Sequence, residues 1–190
     1  MWRRVILFTC LREAGPTWNG MSQDPIMRIA IESPDQPEVR ALIAALDAYQ
    51  RSLYPPESTH LMGMAELTQP NVVFAVARDA DERAVGCGAV VLHPPYGELK
   101  RMYVDPRGRG HGVAKAILVR LESEATKRNC RLLVLETGPL QPEALGLYAR
   151  SGFTRRARFG GYADDPLSVF MEKVIRLHED PGSASTSQSA

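Results

Sequence analysis

The chain reads as an α+β domain, one sheet with helices packed against it. Three observations carry that reading. Short β-branched runs alternate with helical patterns in the order β-α-(α)-β-β-β-α-β-α-β-β. The run RLLVLET is continuously apolar, as a strand covered on both faces should be. The stretch VDPRGRGHGVAKAIL, Val104 to Leu118, sets Gly108, Gly110 and Gly112 among basic side chains between a strand and a helix. That pattern lets an anion approach the backbone closely.

In order along the chain, MRIAIE (27–32) alternates and predicts a first strand. Residues 34–52 follow with a helical pattern that puts Val39, Leu42, Ile43, Leu46 and Tyr49 on one face. The two prolines of YPPEST end it. A short helix is expected over 60–67. Strands follow at 72–78 and 84–92, joined by the polar loop DADER. HPPYG is a turn, and 98–104 is the next strand. Strict alternation puts Glu98, Lys100, Met102 and Val104 on one face, with Leu99, Arg101 and Tyr103 on the other. Residues 110–128 form an amphipathic helix whose inner stripe is Val113, Ile117, Leu121 and Ala125. After RLLVLET, residues 142–150 form a helix with proline at its start and Gly152 just past its end. Strands at 153–156 and 167–174 close the domain.

Bulk properties bound the function. A length of 190 residues fits a single domain. With 23 basic and 22 acidic residues the net charge is +1, which argues against nucleic acid or a membrane surface as partner. Cys10, Cys87 and Cys130 are widely spaced and match no zinc-ligand spacing, so no metal is expected. Their sparse, odd count fits the reducing cytoplasm. Cys87, in the apolar run VGCGAV, is expected to pack in the core. The start MWRRVILFTCLREAG imitates a signal peptide, but Arg12 and Glu13 stand where small cleavage-site residues belong. Residues 1–26 are therefore expected to be a disordered or mis-started extension, 27–176 the folded domain, and 177–190 a disordered tail.

The glycine stretch has three anion-binding readings. A P-loop needs Lys-Ser or Lys-Thr after its last glycine, and none is present. A dinucleotide fingerprint, G-x-G-x-x-G/A, fails from either start, reaching Val113 from Gly108 and Lys115 from Gly110. The third reading is the pyrophosphate arm of coenzyme A held at a helix start. Free N–H groups and the helix dipole favour it. Arg107, Arg109, His111 and Lys115 add positive charge at the same mouth.

The stretch resembles motif A of the GNAT acetyltransferase superfamily, Q/R-x-x-G-x-G/A preceded by V-x-P. Val104-Asp105-Pro106 sets the frame, and Arg109, Gly112 and Ala114 fill the motif. A second frame, Arg107-Gly110-Gly112, also matches. QPEALGLYARSGF is similar to the family's N-x-x-A-x-x-L-Y-x-x-x-G-F through Ala144, Leu147, Tyr148, Gly152 and Phe153, with Gln141 where asparagine is usual. YPPES, ELKRMYV, LETGP and DPLSVFMEK resemble a bacterial small-substrate subgroup. The resemblance implies a mixed, mostly antiparallel sheet of about six to seven strands, about four helices and a V-shaped splay at the cofactor site. It implies acetyl-CoA as co-substrate, a small-molecule amine as acceptor, and direct transfer in a ternary complex by a monomer or homodimer. Protein N-terminal or lysine acetylation, and non-catalytic acyl-CoA sensing, are the alternatives.

The same resemblance assigns roles. Met102, Tyr103 and Val104 line the pantetheine arm, with the Val104 N–H aimed at the thioester oxygen. Arg109, Gly110, His111, Gly112, Val113, Ala114 and Lys115 hold the pyrophosphate, and Gln141 contacts the pantetheine amide. Tyr148 faces the sulfur as general acid. Glu98 is placed to take the amine proton, or else to pair with Lys100. Tyr54, Glu57 and His60, with Tyr162 of GGYADDP, are expected around the acceptor.

Overall fold

The computed structural model describes residues 27–59 and 61–176. The expectations for 1–26, for 177–190 and for His60 lie outside the described residues.

Seven strands form one sheet in the order β1-β2-β3-β4-β5-β7-β6. They are β1 (Arg28–Ile31), β2 (Val72–Arg78), β3 (Ala84–His93), β4 (Tyr96–Val104), β5 (Leu132–Thr137), β6 (Thr154–Arg155) and β7 (Val169–Val174). Every neighbouring pair is antiparallel except β4 and β5. The helices are α1 (Pro37–Leu53), α2 (Met64–Leu67), α3 (Val113–Lys127) and α4 (Pro142–Arg150). The expected α+β class, strand count and helix count are all present.

The two faces of the sheet have separate cores. On one, the α3 stripe Val113, Ile117, Leu121 and Ala125 is buried against Ala75, Ala77, Val85 and Val90. On the other, Val39, Leu42 and Ile43 of α1 pack on Phe74, Val76 and Ala89. Cys87 lies in this second core, where burial pushes its thiol up to about 12. Tyr49, expected on the inner face of α1, is 39% exposed, because it borders an open cleft. Helix α3 starts later than its amphipathic pattern predicts. Gly110 and Gly112 have φ of 82° and 74°, outside the helical region.

Two irregularities in β4 position everything that follows. The first is a bulge. Cys87 pairs with Tyr103 and Ala89 with Lys100, so Gly88 alone faces both Arg101 and Met102. Arg101 absorbs the extra residue in left-handed backbone, φ 57°. The alternation expected for this strand therefore slips by one residue. Arg101 points to α1, where it pairs with Asp47. Met102 and Val104 pack on the α3 side and Tyr103 on the α1 side. Lys100 stays with Glu98 on the α1 side rather than sharing a face with Met102.

The second irregularity is a fork. β4 and β5 pair only at Gly97–Leu133, Glu98–Val134 and Leu99–Leu135. Beyond that, β4 follows β3 up to Val104 and β5 follows β7 up to Thr137.

Gly88 sits under the bulge. A Cβ there would collide with the Met102 sulfur and lie 2.9 Å from Ile117 Cγ2. Gly88→Ala should lower stability by about 1–3 kcal/mol through overpacking. The check is the urea midpoint at constant m-value, and an unchanged midpoint would mean Met102 does not fill this space.

Candidate active site

A cleft of about 650 Å³ occupies the fork. β4 lines it from Leu99 to Val104, and Glu136 and Thr137 of β5 form the opposite wall. Helix α1 contributes Leu46, Tyr49 and Gln50, and α4 contributes Ala144, Leu147 and Tyr148. The glycine loop and the first turn of α3 form its mouth.

The mouth offers free backbone N–H groups and basic side chains. Gly112 caps α3 and leaves the N–H groups of the first turn without helical partners. A Cβ on Gly110 or Gly112 would meet nothing within 4 Å, so these glycines serve backbone conformation and leave the opening empty. Arg109 lines the cleft, and its Nε donates to the Val104 carbonyl at 3.2 Å. Lys115 also lines it. Arg107 instead turns back on Asp105, with its Nε 2.8 Å from the carboxylate and its backbone N–H donating to the same oxygen. These bonds hold the Asp105 carboxyl below its ordinary range. The frame through Arg109, Gly112 and Ala114 is thus the one that faces the cleft. His111 is not on the wall.

Tyr148 reaches the fork from α4. It is 6% exposed, with Phe153 edge-on at 5.7 Å between ring centroids. Burial pushes its phenol above the usual value, and the charge of Glu136 pushes in the same direction. Gln141, at the start of α4, also lines the cleft. Its side-chain oxygen accepts from Thr137 Oγ1 at 2.9 Å, which leaves its amide nitrogen as the donor on that side.

The acceptor-side candidates are dispersed. Glu98 is 8% exposed and does not line the main cleft. It lines a smaller cleft of about 430 Å³ near α2, with His93 and Gln69. Its carboxylate is 2.9 Å from Lys100 Nζ and accepts from the Tyr162 hydroxyl at 2.6 Å. Lys100 also bonds the Tyr162 hydroxyl and lies on both clefts. Burial and then Glu98 push the Tyr162 phenol far up. Tyr54 is buried, and its hydroxyl accepts from the Leu140 N–H at 2.9 Å. A Cβ at Gly138 would collide with the Tyr54 ring, so the glycine admits it. Tyr54 thereby ties the end of α1 to the loop before α4, behind the cleft wall. Glu57, exposed in a short 3-10 turn, lines neither cleft.

Sequence reasoning passed over Glu136, read only as the end of an apolar strand. Its signal was a lone carboxylate closing a run otherwise buried on both faces. It also passed over the buried Arg101–Asp47 pair, which depends on a bulge whose left-handed position is an arginine. Among the described residues, no group of three or more His, Cys, Asp and Glu side chains is placed to hold a metal ion. No helix among them is long and apolar enough to cross a membrane.

The sheet is thus forked at its parallel pair, with the free N–H groups of a helix start on one side and a buried tyrosine on the other. Residues 39–153 match the acetyltransferase (GNAT) family, and the chain belongs to that family. The IAA acetyltransferase of Azospirillum brasilense is 45% identical over 153 residues, covering 80% of this chain and 99% of its own. YsnE of Bacillus subtilis, an uncharacterised N-acetyltransferase, is 41% identical over 124 residues, covering 64% of this chain and 82% of its own. A crystal structure from Klebsiella pneumoniae, assigned to the acyl-CoA N-acyltransferases, superposes with a TM-score of 0.67 at 41% identity. It covers 78% of this chain and 97% of that one. The chain is thus an acyltransferase.

Gly112→Val tests the mouth. A β-branched residue tolerates left-handed backbone poorly, at a strain of about 1–3 kcal/mol, and its side chain would project into the opening. Affinity for coenzyme A, measured by calorimetry, should fall by about tenfold or more with the fold intact. Unchanged affinity would place the phosphates elsewhere.

Proposed function

We propose that this protein moves the acetyl group of acetyl-CoA to a primary amine of a small molecule, by direct transfer in a ternary complex. The observation that carries this reading is the single cleft running from the start of α3 through the fork to α1. A cofactor anchored by its pyrophosphate at Arg109–Lys115 would lay its pantetheine arm along Met102–Val104. Its thioester would then stand beside Tyr148. The acceptor would enter from the α1 side, past Tyr49 and Gln50. The relative from Azospirillum, whose name carries IAA, supports a small acceptor.

Three requirements of the chemistry find groups here. The thioester oxygen needs a donor as its charge grows. β4 beyond Leu99 has no strand on its β5 side to take its backbone groups, and the Val104 N–H is assigned this task. The amine must lose a proton before it attacks. Glu98 and Glu136 are carboxylates on the acceptor side of the sheet. The sulfur needs a donor as the C–S bond breaks, and Tyr148 supplies its hydroxyl. A phenol already above about 10 is a weaker acid than a thiol at about 8.5. Tyr148 therefore acts mainly as a hydrogen-bond donor to the developing thiolate.

Coenzyme A release, followed with a panel of primary amines, tests the reading. Intersecting initial-rate lines are expected. Parallel lines with an isolable acetyl-enzyme would contradict direct transfer. Tyr148→Phe keeps the ring against Phe153 and removes one bond to a charged sulfur, worth about 1.5–3 kcal/mol. Its kcat should fall by about 10- to 100-fold, with KM for acetyl-CoA nearly unchanged. A wild-type kcat from pH 6 to 9 would leave Tyr148 a packing residue.

A further inference from the structure

We propose that the smaller cleft beside α2 holds a second cationic group of the acceptor, so that the substrate is a small molecule with amino groups at both ends. This rests on the acetyltransferase reading above and names the substrate class that the reading leaves open.

Position is the first argument. The smaller cleft, about 430 Å³, adjoins the main one, and Lys100 lines both. Met62, on its wall, packs in the α1 core, so this cleft lies on the face of the sheet from which the acceptor enters. β4 runs from one cleft to the other, with Glu98 on the smaller and Met102 on the main one. At about 3.3 Å per residue, Lys100 and Glu98 stand about 7 and 13 Å from Met102 along the strand. One extended molecule of that length can set an amine at the thioester and its far end in the smaller cleft.

The chemistry of the wall is the second argument. Glu66 accepts the Gly63 N–H on Oε2 at 2.7 Å and keeps Oε1 as an acceptor. Gln69 Nε2 donates to the Ala65 carbonyl at 2.9 Å, and Asn71 Nδ2 donates to the Leu92 carbonyl at 3.3 Å. Each amide keeps its oxygen for an incoming donor. The wall therefore suits a ligand rich in N–H groups. Leu61, Met62 and Val91 give the same cleft an apolar side for the methylenes of such a chain.

Charge is the third argument. The ionisable groups on this cleft are Glu66, Glu98, Lys100 and His93. Lys100 Nζ is 2.9 Å from the Glu98 carboxylate, bonds the Tyr162 hydroxyl and lies 4.9 Å from the centre of the Tyr162 ring. Its charge is met inside the wall. Arg101, which reaches the Met62 carbonyl, is met by Asp47. Glu66 supplies the remaining negative charge. An ammonium in the cleft completes the pairing, whereas a carboxylate there would face both Glu66 and Glu98.

The test is a chain-length series with the full chain, following coenzyme A release. Each α,ω-diamine is compared with the monoamine and the ω-amino acid of the same length. At the best length, kcat/KM for the diamine should exceed that for the monoamine by about 5- to 50-fold, between an exposed ion pair and a charge-assisted hydrogen bond. Diamines too short to span the two clefts should show no preference, and the ω-amino acid should be the poorest of the three. Glu66→Gln keeps the capping bond to the Gly63 N–H and removes the charge. It should remove most of the preference and leave the monoamine unchanged. Gln69→Lys sets a cation in the cleft without touching that bond and should erase the preference. Calorimetry with coenzyme A confirms that each variant is folded. Equal kcat/KM for diamine and monoamine at every length would overturn the proposal. So would an ω-amino acid preferred over the diamine, a preference that survives both variants, or equal losses on monoamine and diamine. Failure of every diamine with an enzyme that acetylates other amines would overturn it as well. A wild-type enzyme that binds acetyl-CoA but acetylates no amine would overturn the transferase reading instead, a failure visible before any variant is made.

Discussion

Backbone hydrogen bonding between β4 and β5 stops at Leu99 and Leu135, and the site exists because it stops there. Each strand then carries a row of peptide groups with no partner strand on the fork side. Buried peptide groups need partners, so the gap must take water or a ligand. An extended chain bearing amides of its own is a natural occupant, as an added strand would be in an ordinary sheet. The bulge at Arg101 maintains this arrangement. Left-handed backbone at a non-glycine residue costs about 1–3 kcal/mol and persists only where its surroundings hold it. Here the guanidinium is buried against Asp47 and the Met62 carbonyl, which tie β4 to α1 and to the segment before α2.

Charge is arranged along the cleft although the chain as a whole is nearly neutral. Arg109, Lys115 and the start of α3 make the mouth of the cleft positive. Toward α1, Glu136 adds a carboxylate, while Lys100 is balanced by Glu98 and Arg101 by Asp47. The gradient suits a polyanion at one end and an ammonium at the other. Arg107 shows how local this is. Two residues from Arg109, it is neutralised by Asp105 and leaves the mouth to its neighbour.

Elements set by local chemistry were legible in the sequence. The stripes of α1 and α3, the doubly covered β5 and the proline and glycine stops depend on periodicity and backbone conformation, which neighbouring residues encode. The glycine loop was legible for the same reason, although His111, expected among its residues, does not line the cleft. What sequence did not reveal depends on distant partners. Nothing at Arg101 announces a bulge, so the faces of β4 were misassigned beyond Lys100. Tyr54 was expected at the acceptor because it adjoins two prolines; its hydroxyl instead braces Leu140, 86 positions away. Glu98 was read on its strand alone, without Tyr162 from 64 residues on.

Amide hydrogen exchange with and without coenzyme A tests the fork most directly. The account predicts slower exchange in two segments when the ligand binds, 100–104 of β4 and 110–115 at the start of α3. β1, β2, β6 and β7 should be unchanged. Bound coenzyme A that leaves 100–104 unprotected, or that protects 61–71 beside the smaller cleft instead, would contradict it.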